Sequence, residues 1–126
     1  MHVIATTEEG TRRALVEAGR ISERIRPSRV VLLVPRIVSF LRPPAGPLED
    51  ARIKDQYRDL AEDTGVDATV RVCVCQRPDE AFLWMLRKPS TIVIGGRRRW
   101  WWPTPAQQTA RYLKDAGHQV VFAAVD

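Results

Sequence analysis

Five short apolar runs punctuate the chain, at residues 2–6, 30–34, 67–75, 91–94 and 120–125, and each gap between them is long enough for a helix. The runs are rich in Val and Ile, the residue types that suit strands packed on both faces. The third run differs from the others. Ala68, Val70, Val72 and Val74 alternate with Thr69, Arg71, Cys73 and Cys75, so one of its faces meets solvent and it belongs at a sheet edge. Strict alternation of strand and helix leaves few folds open. It predicts an α/β chain with a mainly parallel sheet and helices on both faces.

The intervening segments carry helical periodicity. Thr7, Glu8, Glu9 and Gly10 open a helix over residues 7–26, with acids in the first turn where the helix dipole favours them. Ala14, Ala18, Ile21 and Ile25 form its buried stripe. A second helix over 48–64 buries Ile53, Tyr57, Leu60 and Ala61 and ends at Gly65. A third starts at Pro78 and Asp79 and presents Ala81, Phe82, Met85 and Leu86 on one side. The last has Thr104 as N-cap, Pro105 in its first turn and Ala106, Ala110 and Leu113 as its stripe, with Gly117 beyond its end. Pro35 is expected to stop the second strand. Four prolines (Pro35, Pro43, Pro44 and Pro47) then mark a long connection over 35–47, with Ile37, Val38, Phe40 and Leu41 inside it. Three roles stay open for it: a lid, a contact surface or a cover for a sheet edge.

At 126 residues the chain is one domain, residues 1–126, large enough for a core of its own. Its net charge of +5, from 20 basic and 15 acidic residues, favours anions without demanding nucleic acid. No apolar run approaches the roughly 18 residues of a membrane span, and acids rather than an apolar region follow the N-terminus, so a cytoplasmic location is expected. Cys73 and Cys75 lie two apart on one strand face. That spacing is poor for a disulfide and predicts two thiols. His2 and His118 are far apart in sequence and no catalytic or metal-ligand spacing appears, so neither an enzyme nor a metal site is expected.

The chemistry concentrates in residues 90–106, STIVIGGRRRWWWPTPA. A strand, a Gly95–Gly96 turn and a new helix is the local architecture of many phosphate sites. Glycine amides can approach an anion closely, and Arg97, Arg98 and Arg99 add charge and bidentate donors. Trp100, Trp101 and Trp102 cannot all face one way. Two are expected over the core, with one flat on the surface beside Pro103. The alternative is a binding surface, since tryptophan beside arginine concentrates binding energy.

The element order, the strand at the N-terminus, the long second connection and TIVIGGRRR ahead of a helix and a final apolar strand together resemble the universal stress protein family, over nearly the whole chain. The resemblance implies a three-layer sandwich with a five-stranded parallel sheet in the order 3-2-1-4-5. It also implies dimerisation through the last strand, and ATP binding in a subset. That subset's loop reads Gly, two residues, Gly, nine residues, Gly, then Ser or Thr. Here Gly95 and Thr109 match, while Arg98 and Gln108 stand at the other glycine positions. In a shortened loop Thr104 would take the hydroxyl role. The acidic residue expected at the end of the first strand is replaced by Ala5-Thr6-Thr7.

Two functional readings follow. The first is a regulatory or interaction module acting as a homodimer through Val120, Val121, Phe122, Ala123 and Val125, without ATP binding in the family's usual manner. A charge at Ala123 is expected to disrupt such a dimer. The second is a stress-response module for ATP or another phosphate-bearing ligand, contacted by Thr6, Gly95, Gly96, Arg97, Arg98 and Thr104. No cofactor is required by either. A protein partner is expected at Trp100, Trp101 and Trp102, and nucleic acid ranks below both readings.

Overall fold

A computed structural model describes residues 1–24, 29–37, 47–77, 86 and 89–125. Strands β1 (His2–Ile4), β2 (Val30–Ile37), β3 (Ala68–Cys75), β4 (Thr91–Arg97) and β5 (Gln119–Val125) form one sheet in the order β3-β2-β1-β4-β5. Every pairing is parallel. Helices α1 (Glu8–Arg24) and α2 (Pro47–Thr64) belong to one face and α3 (Pro105–Asp115) to the other. The three-layer expectation and the strand order both hold. The helix expected from Pro78 lies outside the described residues except for Leu86, which is buried.

Two cores flank the sheet. Ala14, Leu15 and Ala18 of α1, with Leu60 and Ala61 of α2, pack on Val3, Leu32, Val70 and Val93. Leu113 of α3 and Leu86 pack on Ile4, Leu33, Ile92 and Ile94. Odd and even positions of β4 thus feed opposite cores, as the strand's two-residue period requires. Each fully buried Leu or Ile contributes about 1.5–3 kcal/mol.

Pro35 does not stop β2, which continues to Ile37. The reason lies in which side of the strand its backbone faces. Val31 N donates to Met1 O, and Leu33 O accepts from Ala5 N, so odd positions of β2 point their polar groups toward β1. Past Ile4 that side has no strand left to pair, and the N–H that proline lacks is not needed. Pro35 then sits opposite Cys73 in the β2–β3 register. Arg36, nearly buried, holds the start of α2 through Glu49, at 3.3 Å, and Asp50.

At the opposite end of the sheet His2, Ser90 and His118 meet. Ser90 Oγ lies 3.3 Å from His2 Nδ1, and Ser90 N donates to His118 Nδ1 at 3.2 Å. Burial lowers the His2 pKa below its ordinary 6.5, with the N-terminal ammonium, Arg71 and His118 pushing the same way. The unfolded chain therefore binds a proton more readily than the folded one. Stability is full above the unfolded value and falls as pH drops through 6.5 toward the lower folded value. In urea titrations at pH 7.5 and pH 5, the midpoint is expected to drop more in the wild type than in His2→Asn. An equal drop in both would assign the acid sensitivity elsewhere.

Candidate functional site

β1 is the point where the order of strand succession reverses, with β2 on one side and β4 on the other. Open α/β sheets bind ligands at such a reversal, outside the carboxyl ends of the strands. A cleft of about 750 Å³ lies there, within the usual size range for small-molecule sites.

Its first wall is the turn from β1 into α1. Thr7 caps the helix, with Gly10 N donating to Thr7 Oγ1 at 3.0 Å and Thr11 N to Thr7 O at 2.9 Å. Thr6 Oγ1 donates to Gly95 O at 2.6 Å and Thr6 N to Thr11 Oγ1 at 2.9 Å, which fastens this turn to the end of β4. The opposite wall is the start of α3. Thr104 Oγ1 donates to Arg97 O at 2.8 Å and accepts from Gln107 N at 3.3 Å. Gln107 Oε1 accepts from Thr104 N at 2.8 Å, completing the reciprocal cap that Thr104 and the residue three further on can form. Two helix N-termini thus open on one cleft, each with positive potential.

Ile4, Ala5, Pro35, Ala106 and Val125 make the apolar part of the lining. Thr6, Thr7, Thr104 and Thr109 supply hydroxyls, Glu8 and Glu9 supply carboxylates, and Arg97 is the one cation among the described lining residues. Thr6, Gly96, Arg97 and Thr104 all line this cleft. Gly95 and Arg98 are placed elsewhere. A Cβ on Gly95 would stand 1.9 Å from Gly10 O, so this glycine exists to let α1 touch β4. Gly96 has a similar constraint, with Ala106 Cβ 2.6 Å from where its own Cβ would be. Arg98 stacks over the Phe122 ring, 5.1 Å from its centroid, next to a smaller groove of about 380 Å³ shared by Arg97, Arg99, Ala124 and Val125.

Sequence reasoning missed Glu8 and Glu9 as lining residues. They were legible as dipole-matching acids of a first helical turn, and in a doubly wound sheet the first turn of α1 abuts the reversal point. The packing expected for two tryptophans is also corrected. Trp100, Trp101 and Trp102 are 90%, 65% and 71% exposed, because the cap at Thr104 and Gln107 turns the backbone away from the core. Cys73 and Cys75 form no disulfide; Cys75 Sγ donates to Arg36 O at 3.8 Å, and burial raises the Cys73 pKa.

No family model matches the sequence, and no curated protein matches it. Solved structures do. A universal stress protein from Archaeoglobus fulgidus superposes with a TM-score of 0.65 at 17% identity, over 96% of this chain and 90% of that one. A universal stress protein in complex with cAMP gives 0.60 at 19% identity, over 97% and 95%. A universal stress protein family protein from Arabidopsis thaliana with AMP bound gives 0.56 at 13% identity, over 100% and 92%. With the all-parallel 3-2-1-4-5 sheet, these likenesses establish that the chain has the universal stress protein fold.

Proposed function

We propose that this chain is a regulatory module of the universal stress protein type that takes a mononucleotide of low charge in the cleft and works as a homodimer through β5. The observation that carries the reading is the cleft's lining at the sheet's reversal point. Its apolar wall of Ile4, Ala5 and Pro35 suits the face of a base, and Glu8 and Glu9 suit ribose hydroxyls as acceptors. Arg97 and the positive end of the α3 dipole suit a phosphate. With the Glu8 carboxylate paired to Arg12 at 3.5 Å, Glu9 beside the one described lining guanidinium disfavours a polyphosphate, in line with the expectation that ATP does not bind in the family's usual manner. The likeness to structures holding cAMP and AMP supports a monophosphate ligand. The role is binding rather than catalysis.

Native mass spectrometry with cAMP, AMP and ATP tests this. One added cAMP or AMP per chain is expected at micromolar concentration, with ATP at least about tenfold weaker, as one unfavourable charge contact of about 1.4 kcal/mol implies. A cleft that stays bare with all three at millimolar concentration would overturn the reading.

The dimer rests on the β5 edge. Gln119 N donates to Ser90 O, so odd positions of β5 face β4 and even positions face outward. An apolar edge of this kind is a template for a second strand. Ala123, the position first suggested for a charge, is buried in the core on the α1 side. A charge there would test the monomer's stability instead. Ala124→Pro removes an outward N–H and leaves the bonds to β4 in place. The wild type is expected to run as a dimer in light scattering and Ala124→Pro as a monomer. A monomeric wild type at micromolar concentration would reject the interface.

A further inference from the structure

We propose that the loop from Arg97 to Trp102 docks this chain onto an anionic lipid surface. The inference stands independently of the cleft's ligand. Of the described residues, the large apolar side chains left exposed are Val16, Leu48, Val74, Trp100, Trp101 and Trp102. Three of these six are consecutive tryptophans, and tryptophan favours the headgroup layer, where an apolar ring and a polar N–H are both accommodated.

The display is built, not slack. Behind the tip, Thr104 Oγ1 holds Arg97 O at 2.8 Å. Gln107 takes both backbone groups of Arg99, accepting its N–H at 3.1 Å and donating to its carbonyl at 3.2 Å. The rings are thus carried on a fixed backbone, away from either core.

Charge decides the occupant. Arg12, Arg20, Arg36 and Arg58 are paired with acids. No described acid pairs with Arg97, Arg98 or Arg99, three consecutive guanidinium groups. Three adjacent cations therefore stand directly beside the aromatic tip. A nucleic-acid strand needs cations spread along a path of several phosphates and ring faces set for successive bases. Here the cations are local, and Trp100 and Trp101 meet edge to face, 89° apart with centroids at 5.4 Å. A flat anionic surface needs only a compact basic patch and an apolar wedge, and peripheral attachment is stable when both signals are present.

The test is co-sedimentation of the full chain with vesicles of phosphatidylcholine plus phosphatidylserine, and with phosphatidylcholine alone. Each basic residue at an anionic surface is worth about fivefold in partitioning, so the anionic vesicles are expected to bind at least about tenfold more protein. Added salt should weaken the binding, and tryptophan fluorescence should shift to the blue. Replacing Trp100, Trp101 and Trp102 with serine should abolish sedimentation and leave the melting temperature unchanged. Arg98→Gln with Arg99→Gln, which spares the cleft-lining Arg97, should weaken it more than tenfold. Equal binding to both lipids, or a triple variant that sediments like the wild type, would overturn the proposal. So would an absence of sedimentation, whether or not a single-stranded oligonucleotide binds in its place.

Discussion

Gly95→Ala is expected to cost about 3 kcal/mol or more of folding stability, read as a lower urea midpoint. The added methyl would sit 1.9 Å from the carbonyl oxygen of Gly10 and 2.8 Å from its carbonyl carbon. Both are backbone atoms of a helix, so no side-chain rotation relieves the clash. α1 must lift off β4, and that opens the core around Ala14, Leu15 and Val93. Overpacking in a well-filled core costs about 1–3 kcal/mol, more when backbone must move. Gly65→Ala is the control. Gly65 has φ +75° and nothing within 4 Å of its Cβ position, so only left-handed strain is added, about 1–2 kcal/mol. If the two variants lose equal stability, the α1–β4 contact is not what requires Gly95. The Thr6 Oγ1–Gly95 O bond crosses the same contact, so a Gly95→Ala chain that still folds should also lose the shape of the cleft.

The second large effect is on binding. Arg97→Ala is expected to weaken a nucleoside monophosphate by about 10- to 100-fold, the range set by a charge-assisted hydrogen bond worth about 1.5–3 kcal/mol. Arg97 is the one cation among the described lining residues, so no other side chain there replaces it. Adenosine, which lacks the phosphate, should bind wild type and variant alike. Isothermal titration of both ligands separates the cases. If AMP and adenosine weaken together, Arg97 supports the shape of the cleft rather than the phosphate. If neither weakens, the phosphate lies elsewhere.

Much of this architecture can be read along the chain, because period and punctuation are local properties. Thr104, Pro105 and Gln107 announce the start of α3, and Val70 between Thr69 and Arg71 announces an edge strand. Properties that depend on what lies across a contact cannot be read this way. Gly95 looks like a phosphate cradle until Gly10, from a different element, is found against it. Glu8 and Glu9 look like solvated helix acids until the reversal of the sheet sets them on the cleft wall. Pro35 looks like a terminator because sequence does not reveal that β1 is three residues long and leaves that side of β2 without a partner. The tryptophans mislead for a related reason. Apolar residues are assigned to the core by default, and only the capped turn shows that the backbone there faces outward.

That capped turn also bears on how such a chain can change over evolutionary time. Its hydrogen bonds run from the side chains of Thr104 and Gln107 to backbone groups of Arg97, Arg99 and Thr104. None of them depends on which side chains stand at positions 100–102. The tip is in effect a graft site. Its identity can be exchanged without disturbing the helix behind it or the strand before it, so descendants of one scaffold can acquire different targets at this point while their folding remains the same.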